Sequence, residues 1–495
     1  MRTCAIISLG CPKNLVDSEQ MLGLLQQNAF SPCYDVEDAD VVIINTCGFL
    51  AASREEGMEN IQEMEALRRE PTSRLRCLIV AGCLVTRDRE NLVRNCPDVD
   101  AFLDVFSRDS VLEAVRKVFP DAEKSGVESK KDAGESRQGK QVGTVARDAF
   151  SLPIFEKTLP FQETYYDQLP GIASDPNRFP LLPPHIAYLK IAEGCNRRCA
   201  FCAIPNIRGR FTSKPMTEIV AEAQKLAESG VKELILIAQD TSYYGLDLRN
   251  PDGTHTNDSL ANLLRLLNDV EGIHWIRVLY LYPQNFGEDL IEALASTPKV
   301  VPYVDMPLQH INDRVLHSMR RAAGREETLA LLTRLRERIP NLTIRTAFIA
   351  GFPGETKAEF EELLAFLRKQ KFEHVAVFQF SPEDGTTAAE MKQQVPEKVS
   401  LKRTNELITV QKRISAEWAG KLVGKTVEVL IDAELEEEGT YVGHAAFGAP
   451  DIDGTIYVSV EEEAAEALEV GTFYLCEVVD CNEYDLFAVP VRKVG

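Results

Sequence analysis

The hydrophobic positions divide this chain into three regions. Residues 1–120 and again residues 186–380 alternate short apolar runs with longer segments in which apolar positions recur at helical spacing. Short apolar runs are typical of buried strands, so each of these regions predicts a parallel sheet covered by helices. Residues 421–495 instead carry short strand-like runs separated by Gly, Asp and Asn turns, which predicts a small β-barrel.

These patterns place the predicted elements. In the first region we expect strands at 3–9, 41–45 and 77–81 and helices at 18–27, 53–69 and 109–118. In the second region we expect strands at 186–192, 233–238, 274–281, 300–306, 342–350 and 374–380, with helices at 217–229, 259–270, 288–296, 326–338 and 357–369. Six strand–helix units indicate an open, partial (β/α) barrel. In the third region we expect strands at 426–431, 441–446, 454–460, 472–479 and 486–490.

The predicted fold class is therefore α/β, in three domains. Residues 1–120 form an amino-terminal α/β parallel-sheet domain, 181–398 form the open (β/α) barrel, a helix at 399–420 connects, and 421–495 form the carboxyl-terminal β-barrel. Residues 121–180 are predicted to be a linker or insertion. Its first part, 121–147, is polar and of low complexity, a composition that predicts disorder.

The charge of the chain limits its partners. The 495 residues carry a formal net charge of −21, which argues against a protein that holds nucleic acid by broad phosphate neutralisation. Residues 421–495 contain 17 Asp and Glu but only 4 Lys and Arg, a charge near −13. We therefore expect no strong nucleic-acid binding and a Lys- and Arg-rich protein partner. A solvated acidic face without a partner is the alternative.

The sequence also indicates a compartment. No apolar run approaches the length that spans a membrane, and residues 1–10 lack the charged head and apolar stretch of a signal peptide. The 12 cysteines are too scattered for a small secreted disulfide scaffold. We expect a cytoplasmic location.

Three cysteines in one short loop are the strongest chemical signal. Cys195, Cys199 and Cys202 are spaced C-x3-C-x2-C directly after the predicted strand 186–192. Three thiolates converging from one loop suit a cubane iron–sulfur cluster and leave one iron open to bind a small molecule. A structural zinc site would need a fourth nearby ligand, and a disulfide would leave one thiol unpaired.

A second cysteine triplet follows from the predicted sheet of the first domain. Cys11, Cys47 and Cys83 each lie just past the carboxyl end of a predicted strand. Parallel sheets bind ligands outside those strand ends, so three thiols that are distant in sequence are expected to meet there. We predict a second metal or cluster site, with ordinary buried cysteines as the alternative.

Polar residues also follow the predicted strands of the central barrel, whose rim carries the chemistry in such folds. They have three candidate roles, which are holding a cofactor, holding substrate, or capping. They are Gln239, Asp240, Gln309 and the turn Gly351–Thr356, in which Gly351 and Gly354 permit a close backbone approach and Glu355 begins a helix. Arg208 and Arg210 face either an anionic ligand or solvent.

The loop Gly194–Arg210, with Phe201 directly before its last cysteine, resembles the signature of the radical S-adenosylmethionine (SAM) enzymes. The resemblance implies that the open iron chelates SAM and that an electron from the cluster splits SAM to a 5′-deoxyadenosyl radical. Our predicted SAM-binding residues are Phe201, Gln239, Asp240, Gln309, Gly351, Gly354 and Glu355. No catalytic residue is predicted beyond the cluster ligands.

The whole chain is similar to one branch of those enzymes, the radical-SAM methylthiotransferases. The motifs that carry this similarity are Ser8–Asn14, Asn45–Phe49, Gly82–Leu84, Gly194–Arg210 and Gly351–Thr356. Three further stretches, 11–19, 279–283 and 449–454, are similar to the branch that modifies ribosomal small-subunit protein S-twelve. The carboxyl-terminal barrel then corresponds to a TRAM domain. The segment 121–180 departs from the family pattern, which leaves the relative placement of the first two domains open.

The resemblance implies a reaction with two SAM-dependent steps and two [4Fe-4S] clusters. Cys195, Cys199 and Cys202 would hold the cluster that cleaves SAM, and Cys11, Cys47 and Cys83 the cluster that delivers sulfur. The product would be an aspartate of protein S-twelve with a methylthio group on its β-carbon. A flavodoxin or ferredoxin is the expected electron donor. Two alternatives are a transfer-RNA adenosine methylthiotransferase, which a basic last domain would favour, and a non-catalytic iron–sulfur electron carrier.

Overall fold

The computed structural model describes residues 2–120, 178–250, 252–436, 439–460 and 467–494. Most of the predicted linker, 121–180, therefore lies outside the described residues. Within the described parts of the chain, none of the helices combines the length and the apolar character needed to cross a membrane.

The amino-terminal domain is a five-stranded parallel sheet with helices on both faces, as predicted. Its strands are β1 (Arg2–Ser8), β2 (Phe30–Pro32), β3 (Val41–Thr46), β4 (Cys77–Gly82) and β5 (Ala101–Leu103), in the order β2-β1-β3-β4-β5. Its helices are α1 (Pro12–Gln26), α2 (Ala51–Arg69), α3 (Cys83–Asn95) and α4 (Val111–Val118). The fully buried run Val-Val-Ile-Ile of β3 shows why the sheet forms, because β-branched side chains pack well on a pleated surface.

The hydrophobic pattern did not predict three elements of this domain, and it placed the start of one helix too late in the chain. Strands β2 and β5 are only three residues long, and α3 was not predicted. Helix α1 begins at Pro12 rather than at residue 18, with proline at a first-turn position where its missing N–H costs nothing. The polar residues 13–20 are thus helical and largely buried.

The central domain has the predicted six parallel strands. They are β6 (Ile186–Lys190), β9 (Glu233–Ile237), β10 (Trp275–Val278), β11 (Tyr303–Asp305), β12 (Thr343–Ala350) and β13 (His374–Gln379), and a short pair, β7 (Ala192–Glu193) and β8 (Thr212–Ser213), follows β6. Helices α5 (Ile204–Arg208), α6 (Met216–Glu228), α7 (Leu260–Asn268), α8 (Glu288–Ser296), α9 (Asp313–Ser318), α10 (Arg325–Arg338) and α11 (Lys357–Gln370) complete it. Sheets β10-β9-β6 and β11-β12-β13 meet at a parallel bridge between Ile276 and Val300, which gives an open barrel.

The last domain is a closed five-stranded barrel, also as predicted. Helix α12 (Glu397–Ala419) leads into strands β14 (Thr426–Glu434), β15 (Thr440–Ala445), β16 (Ile456–Ser459), β17 (Phe473–Cys481) and β18 (Leu486–Lys493). The strand order around the barrel is β14-β15-β16-β18-β17, and only the β16–β18 pair is parallel.

The interior of the open barrel is filled from both ends. Val16 of α1 packs into it beside Tyr188 and Leu279, near the carboxyl ends of the strands. Leu430 and Phe473 of the closed barrel join the same apolar cluster with Trp275, near the amino ends. The amino-terminal domain and the closed barrel therefore cover opposite ends of the open barrel.

A buried charge network fixes the closed barrel in place. His444 contacts Glu233 through one ring nitrogen and Asp432 through the other, the second at 2.7 Å. Arg277 donates to Glu233 at 2.7 Å and to the carbonyl of Ala446 at 2.9 Å. Burial lowers the pKa of His444, but the carboxylates of Glu233 and Asp432 outweigh it and raise that pKa to about 9.

Replacing His444 by Gln is expected to destabilise the domain contact. Removing one partner of a buried ion pair leaves the other uncompensated, at a cost of roughly 3–5 kcal/mol in the free energy of unfolding. The ring of Trp275, 5.8 Å from the His444 ring, reports the transition in a denaturant titration. The matched control is His317→Gln, an exposed histidine on α9, and an equal loss there would contradict the prediction.

The same residue predicts a pH dependence. The folded-state pKa of His444, about 9, lies above its unfolded value of about 6.5. Its stabilisation is therefore complete below pH 6.5 and is lost as the pH rises through about 9. The difference in unfolding free energy between the wild type and His444→Gln should shrink over that window in denaturant titrations. A constant difference would argue against a charged His444.

Candidate functional site

The triplet Cys11, Cys47 and Cys83 lies at one edge of the amino-terminal sheet. Cys11 and Cys47 follow the neighbouring strands β1 and β3, and Cys83 begins α3 directly after β4. The two loops pack closely, because a Cβ on Gly10, whose φ is +95°, would lie 2.8 Å from the Cβ of Cys47. The three cysteines therefore lie at the ends of adjacent strands, as predicted, and their role as cluster ligands stays a prediction.

The triplet Cys195, Cys199 and Cys202 lies on a loop whose two ends are hydrogen-bonded to each other. Strands β7 and β8 flank the loop and pair antiparallel, and the N–H of Cys195 donates to the carbonyl of Gly209 at 3.0 Å. Cys199 and Cys202 line a cavity of about 360 Å³, whose wall also includes Arg198, Asn206, Arg320 and Thr386. The loop thus presents two of its thiols to a space large enough for a bound group.

Burial affects the ionisation of these thiols, as it does that of Cys4, Cys77 and Cys476, which are not predicted ligands. Burial raises the pKa of Cys83 and of Cys195 to about 12, and it also raises the pKa of Cys47 and Cys202. Such thiols ionise only when a nearby positive charge compensates them, as a coordinated metal does. All 12 cysteines lie in described residues and none forms a disulfide, so the disulfide alternative is wrong.

The spacing of the thiols disfavours a single ion. Among the described residues, no three His, Cys, Asp or Glu side chains converge closely enough to hold one metal ion. The three thiolates of a cubane each bind a different iron, so they lie farther apart than the ligands of one zinc. A cluster at either triplet stays a prediction.

A buried arginine joins the two triplets. Arg208, at the end of α5, is only 1% exposed and donates from Nε to the Sγ of Cys83 at 3.3 Å. The α5 segment carries Ala203, the residue after Cys202, and Ala203 packs against Cys83. The two triplets thus lie on either side of a single short helix.

Arg208 belongs to a group of buried charges from both domains, here called the interdomain charge cluster. It consists of Asp17, Arg108, Lys190, Glu193 and Arg208. Arg208 donates to Glu193 at 2.8 Å and to Asp17 at 3.2 Å. Burial raises the pKa of Asp17, but Lys190, Arg108 and Arg208 outweigh it and lower that pKa. Both carboxylates are therefore held ionised between cations.

Lys13 lies close to this cluster but outside its ion pairs. Its side chain is 5% exposed, and its Nζ lies 2.8 Å from the ring centroid of Tyr280. Tyr280 follows β10 at the rim of the central barrel and has a φ of +61°. Its N–H donates to Asp305 at 2.9 Å, which fixes the ring beneath the ammonium group.

Two predicted SAM-binding residues, Gln239 and Asp240, lie beside the cysteine loop. The amide of Gln239 donates to Glu193 at 2.7 Å, while its Oε1 has no hydrogen-bond partner among the described residues. Asp240 accepts from Arg197 at 2.7 Å. Gln239 therefore keeps an acceptor for a ligand, whereas Asp240 fixes the cysteine loop through Arg197.

Phe201 and Gln309 lie in ordinary packing positions. Phe201 packs against an apolar cluster that includes Met319 and Phe352. Gln309 has a φ of +72°, and its backbone bridges to Phe348 of β12. A SAM-binding role for these two residues stays a prediction.

The turn after β12 is closed by protein partners. A Cβ on Gly351 would lie 2.0 Å from the hydroxyl of Ser400 on α12, so this glycine makes room for that helix. The N–H of Gly354 donates to the carbonyl of Gln393 at 2.6 Å. The carboxylate of Glu355 accepts from the N–H of Gly351 at 2.9 Å and from Arg403 at 2.6 Å. A SAM contact from these residues also stays a prediction.

Sequence reasoning missed the residues that join the domains. The alternative that placed Arg208 in solvent is wrong because it is buried, while Arg210 is exposed. Nothing in the sequence separates the buried Lys13 and Asp17 from a solvated helix face. Arg321, which donates to Cys199 at 3.8 Å and to the carbonyl of Pro307 at 2.6 Å, was also missed.

Three family models match the chain. The Radical SAM superfamily matches residues 189–367, the uncharacterized protein family UPF0004 matches residues 3–104, and the TRAM domain matches residues 423–491. Among solved structures, the radical SAM methyltransferase TsrM of Kitasatospora setae has a TM-score of 0.50 over 76% of this chain and 75% of its own, at 15% identity. That likeness shows a shared fold.

Curated relatives cover nearly the whole chain. A protein of Lachnoclostridium phytofermentans is 39% identical over 97% of this chain and 98% of its own length, and one of Bdellovibrio bacteriovorus is 39% identical over 97% and 95%. One of Anaeromyxobacter sp. (strain K) is 41% identical over 98% and 92%. All three are named ribosomal protein uS12 methylthiotransferase RimO. The chain therefore belongs to the RimO family of radical-SAM methylthiotransferases, which are enzymes and not electron carriers.

Proposed function

We propose that this enzyme places a methylthio group on the β-carbon of an aspartate in ribosomal protein uS12. Its full-length relatives carry the name of that substrate. The acidic carboxyl-terminal domain suits a basic ribosomal protein and repels nucleic-acid phosphates. A cytoplasmic location and reduction by a flavodoxin or ferredoxin belong to the same proposal.

As a radical-SAM methylthiotransferase, the enzyme uses SAM and a [4Fe-4S] cluster. We assign that cluster to Cys195, Cys199 and Cys202, and a second one to Cys11, Cys47 and Cys83. When bound, these groups supply one-electron cleavage of SAM for removal of a C–H hydrogen, and a sulfur atom that a second SAM methylates. The single observation that carries the assignment is the hydrogen bond from Arg208 of α5 to the thiol of Cys83, because α5 directly follows Cys202.

The chain's own residues hold this arrangement together. Arg208 binds Asp17 of α1 and Glu193 of β7, so the rim that carries Cys11 faces the rim that carries Cys195. Gln239 offers its free carbonyl oxygen beside Glu193, where it can accept from a bound amine or hydroxyl.

The acidic domain acts at a distance from the thiols. It docks near the amino ends of the barrel strands, whereas both cysteine triplets lie at carboxyl ends. It therefore attracts and holds a basic part of the substrate rather than the reacting aspartate. Glu477 and Asp480 on β17 are exposed and available for such a contact.

Separate replacement of the two triplets should separate the two activities. Cys199→Ala is expected to abolish SAM cleavage, because the cluster that binds SAM loses a ligand. Cys47→Ala is expected to retain SAM cleavage and to lose methylthiolation of uS12. The measurements are 5′-deoxyadenosine by chromatography and product by mass spectrometry. Methylthiolated uS12 from the Cys47→Ala variant would refute the assigned role of the second triplet.

Loss of the gene should leave one ribosomal protein unmodified. In cells that lack this chain, uS12 is expected to lose the mass of one SCH3 group in place of hydrogen, at a single aspartate. Intact-protein and peptide mass spectrometry of purified ribosomes measures this change, with methylthioadenosine in transfer RNA as the parallel readout. Loss of the transfer-RNA modification with uS12 unaffected would favour the alternative substrate.

A further inference from the structure

Lys13 lies at the junction between the amino-terminal domain and the rim of the central barrel. It lies two residues after Cys11, in the first turn of α1, and its side chain crosses to Tyr280 at the rim of the central barrel. With 5% of its surface exposed, the side chain is buried between the amino-terminal domain and the barrel.

The ammonium group of Lys13 forms no ion pair with a described carboxylate, although Cys11, Asp305 and Glu193 lie near enough to act on its charge. The neighbouring cations do form ion pairs, since Lys190 and Arg208 share Asp17 and Glu193, and Arg345 pairs with Asp305 at 3.0 Å and with Asp453 at 3.3 Å. The contact of Lys13 with the face of Tyr280 offsets only part of the loss of hydration.

The nearby charges are unevenly balanced. The interdomain charge cluster contains three cations and two carboxylates, and Lys13 adds a fourth cation. Arg208 also has the thiol of Cys83 as a partner, whereas the thiol of Cys11 acts on the charge of Lys13 without a hydrogen bond between them. Lys13 is thus left without an ion pair, and a carboxylate that enters beside Cys11 can form one.

We propose that Lys13 binds the side-chain carboxylate of the substrate aspartate. This inference rests on the proposed function, and it identifies the residue that selects an acidic side chain. The β-carbon of an aspartate is bonded to its carboxylate carbon, so a carboxylate held at Lys13 keeps the reacting carbon beside the Cys11 rim. Tyr280 positions the ammonium group for this contact.

The test compares two peptides on the reconstituted holoenzyme with SAM present. One peptide spans the modified aspartate of uS12, and the other carries asparagine there. Fluorescence anisotropy measures both affinities for the wild type, Lys13→Met and Lys13→Arg. The control is Lys117→Met, which removes an exposed lysine of the same domain.

The wild type is expected to bind the aspartate peptide about 10- to 100-fold more tightly than the asparagine peptide, the range of a charge-assisted hydrogen bond. Lys13→Met should bring the two affinities together, Lys13→Arg should keep part of the preference, and Lys117→Met should keep all of it. Tyr280→Leu should reduce the preference and Tyr280→Phe should not, which tests the same contact without altering α1.

Two results would overturn the proposal. Lys13→Met with the wild-type preference would show that Lys13 does not bind the carboxylate. An equal loss of affinity for both peptides would show that the ammonium group instead stabilises the cluster or the shape of the cavity. If the wild type itself neither prefers nor modifies the aspartate peptide, the proposed function fails, and that outcome is read from the wild type alone.

Discussion

One buried guanidinium group joins the amino-terminal domain to the central barrel. Arg208 connects Asp17 of the first domain, Glu193 of the central barrel and the thiol of Cys83. A buried charge persists only where its partners stay in place, and removing one of them costs roughly 3–5 kcal/mol. Because the partners come from two domains, the domains cannot slide apart without paying that penalty. Cys83 therefore keeps its place beside α5, the helix that follows Cys202.

The placement of the outer domains follows from the open barrel. An incomplete barrel leaves apolar surface at both ends, and α1 covers it at one end while Leu430 and Phe473 cover it at the other. The reactive groups gather at the first end, where parallel strands present their carboxyl termini. The acidic domain gathers at the second end, fixed by His444. The cysteine triplets and the acidic domain are thus separated within one chain.

The sequence predicted the parts of the site that depend on local pattern. Cys11, Cys47 and Cys83 were placed correctly because strand ends are readable from apolar periodicity, and parallel strands bring their ends together. Burial of Arg208 was not predictable, because an arginine in a loop has the same local pattern whether it is solvated or paired across domains. Gly351 shows the converse, since a glycine predicted to admit a ligand is also required by the contact with Ser400. Domain contacts, and not local pattern, decide such positions.

The central claim is that two clusters lie within reach of one substrate carbon, and magnetic coupling between them tests it most directly. The measurement is the electron paramagnetic resonance spectrum of the anaerobically reconstituted, fully reduced enzyme. The account predicts lines broadened by spin–spin interaction in the wild type, and a simpler spectrum without that broadening in Cys83→Ala. Identical spectra from the two proteins, or two signals in the wild type that do not broaden each other, would contradict it.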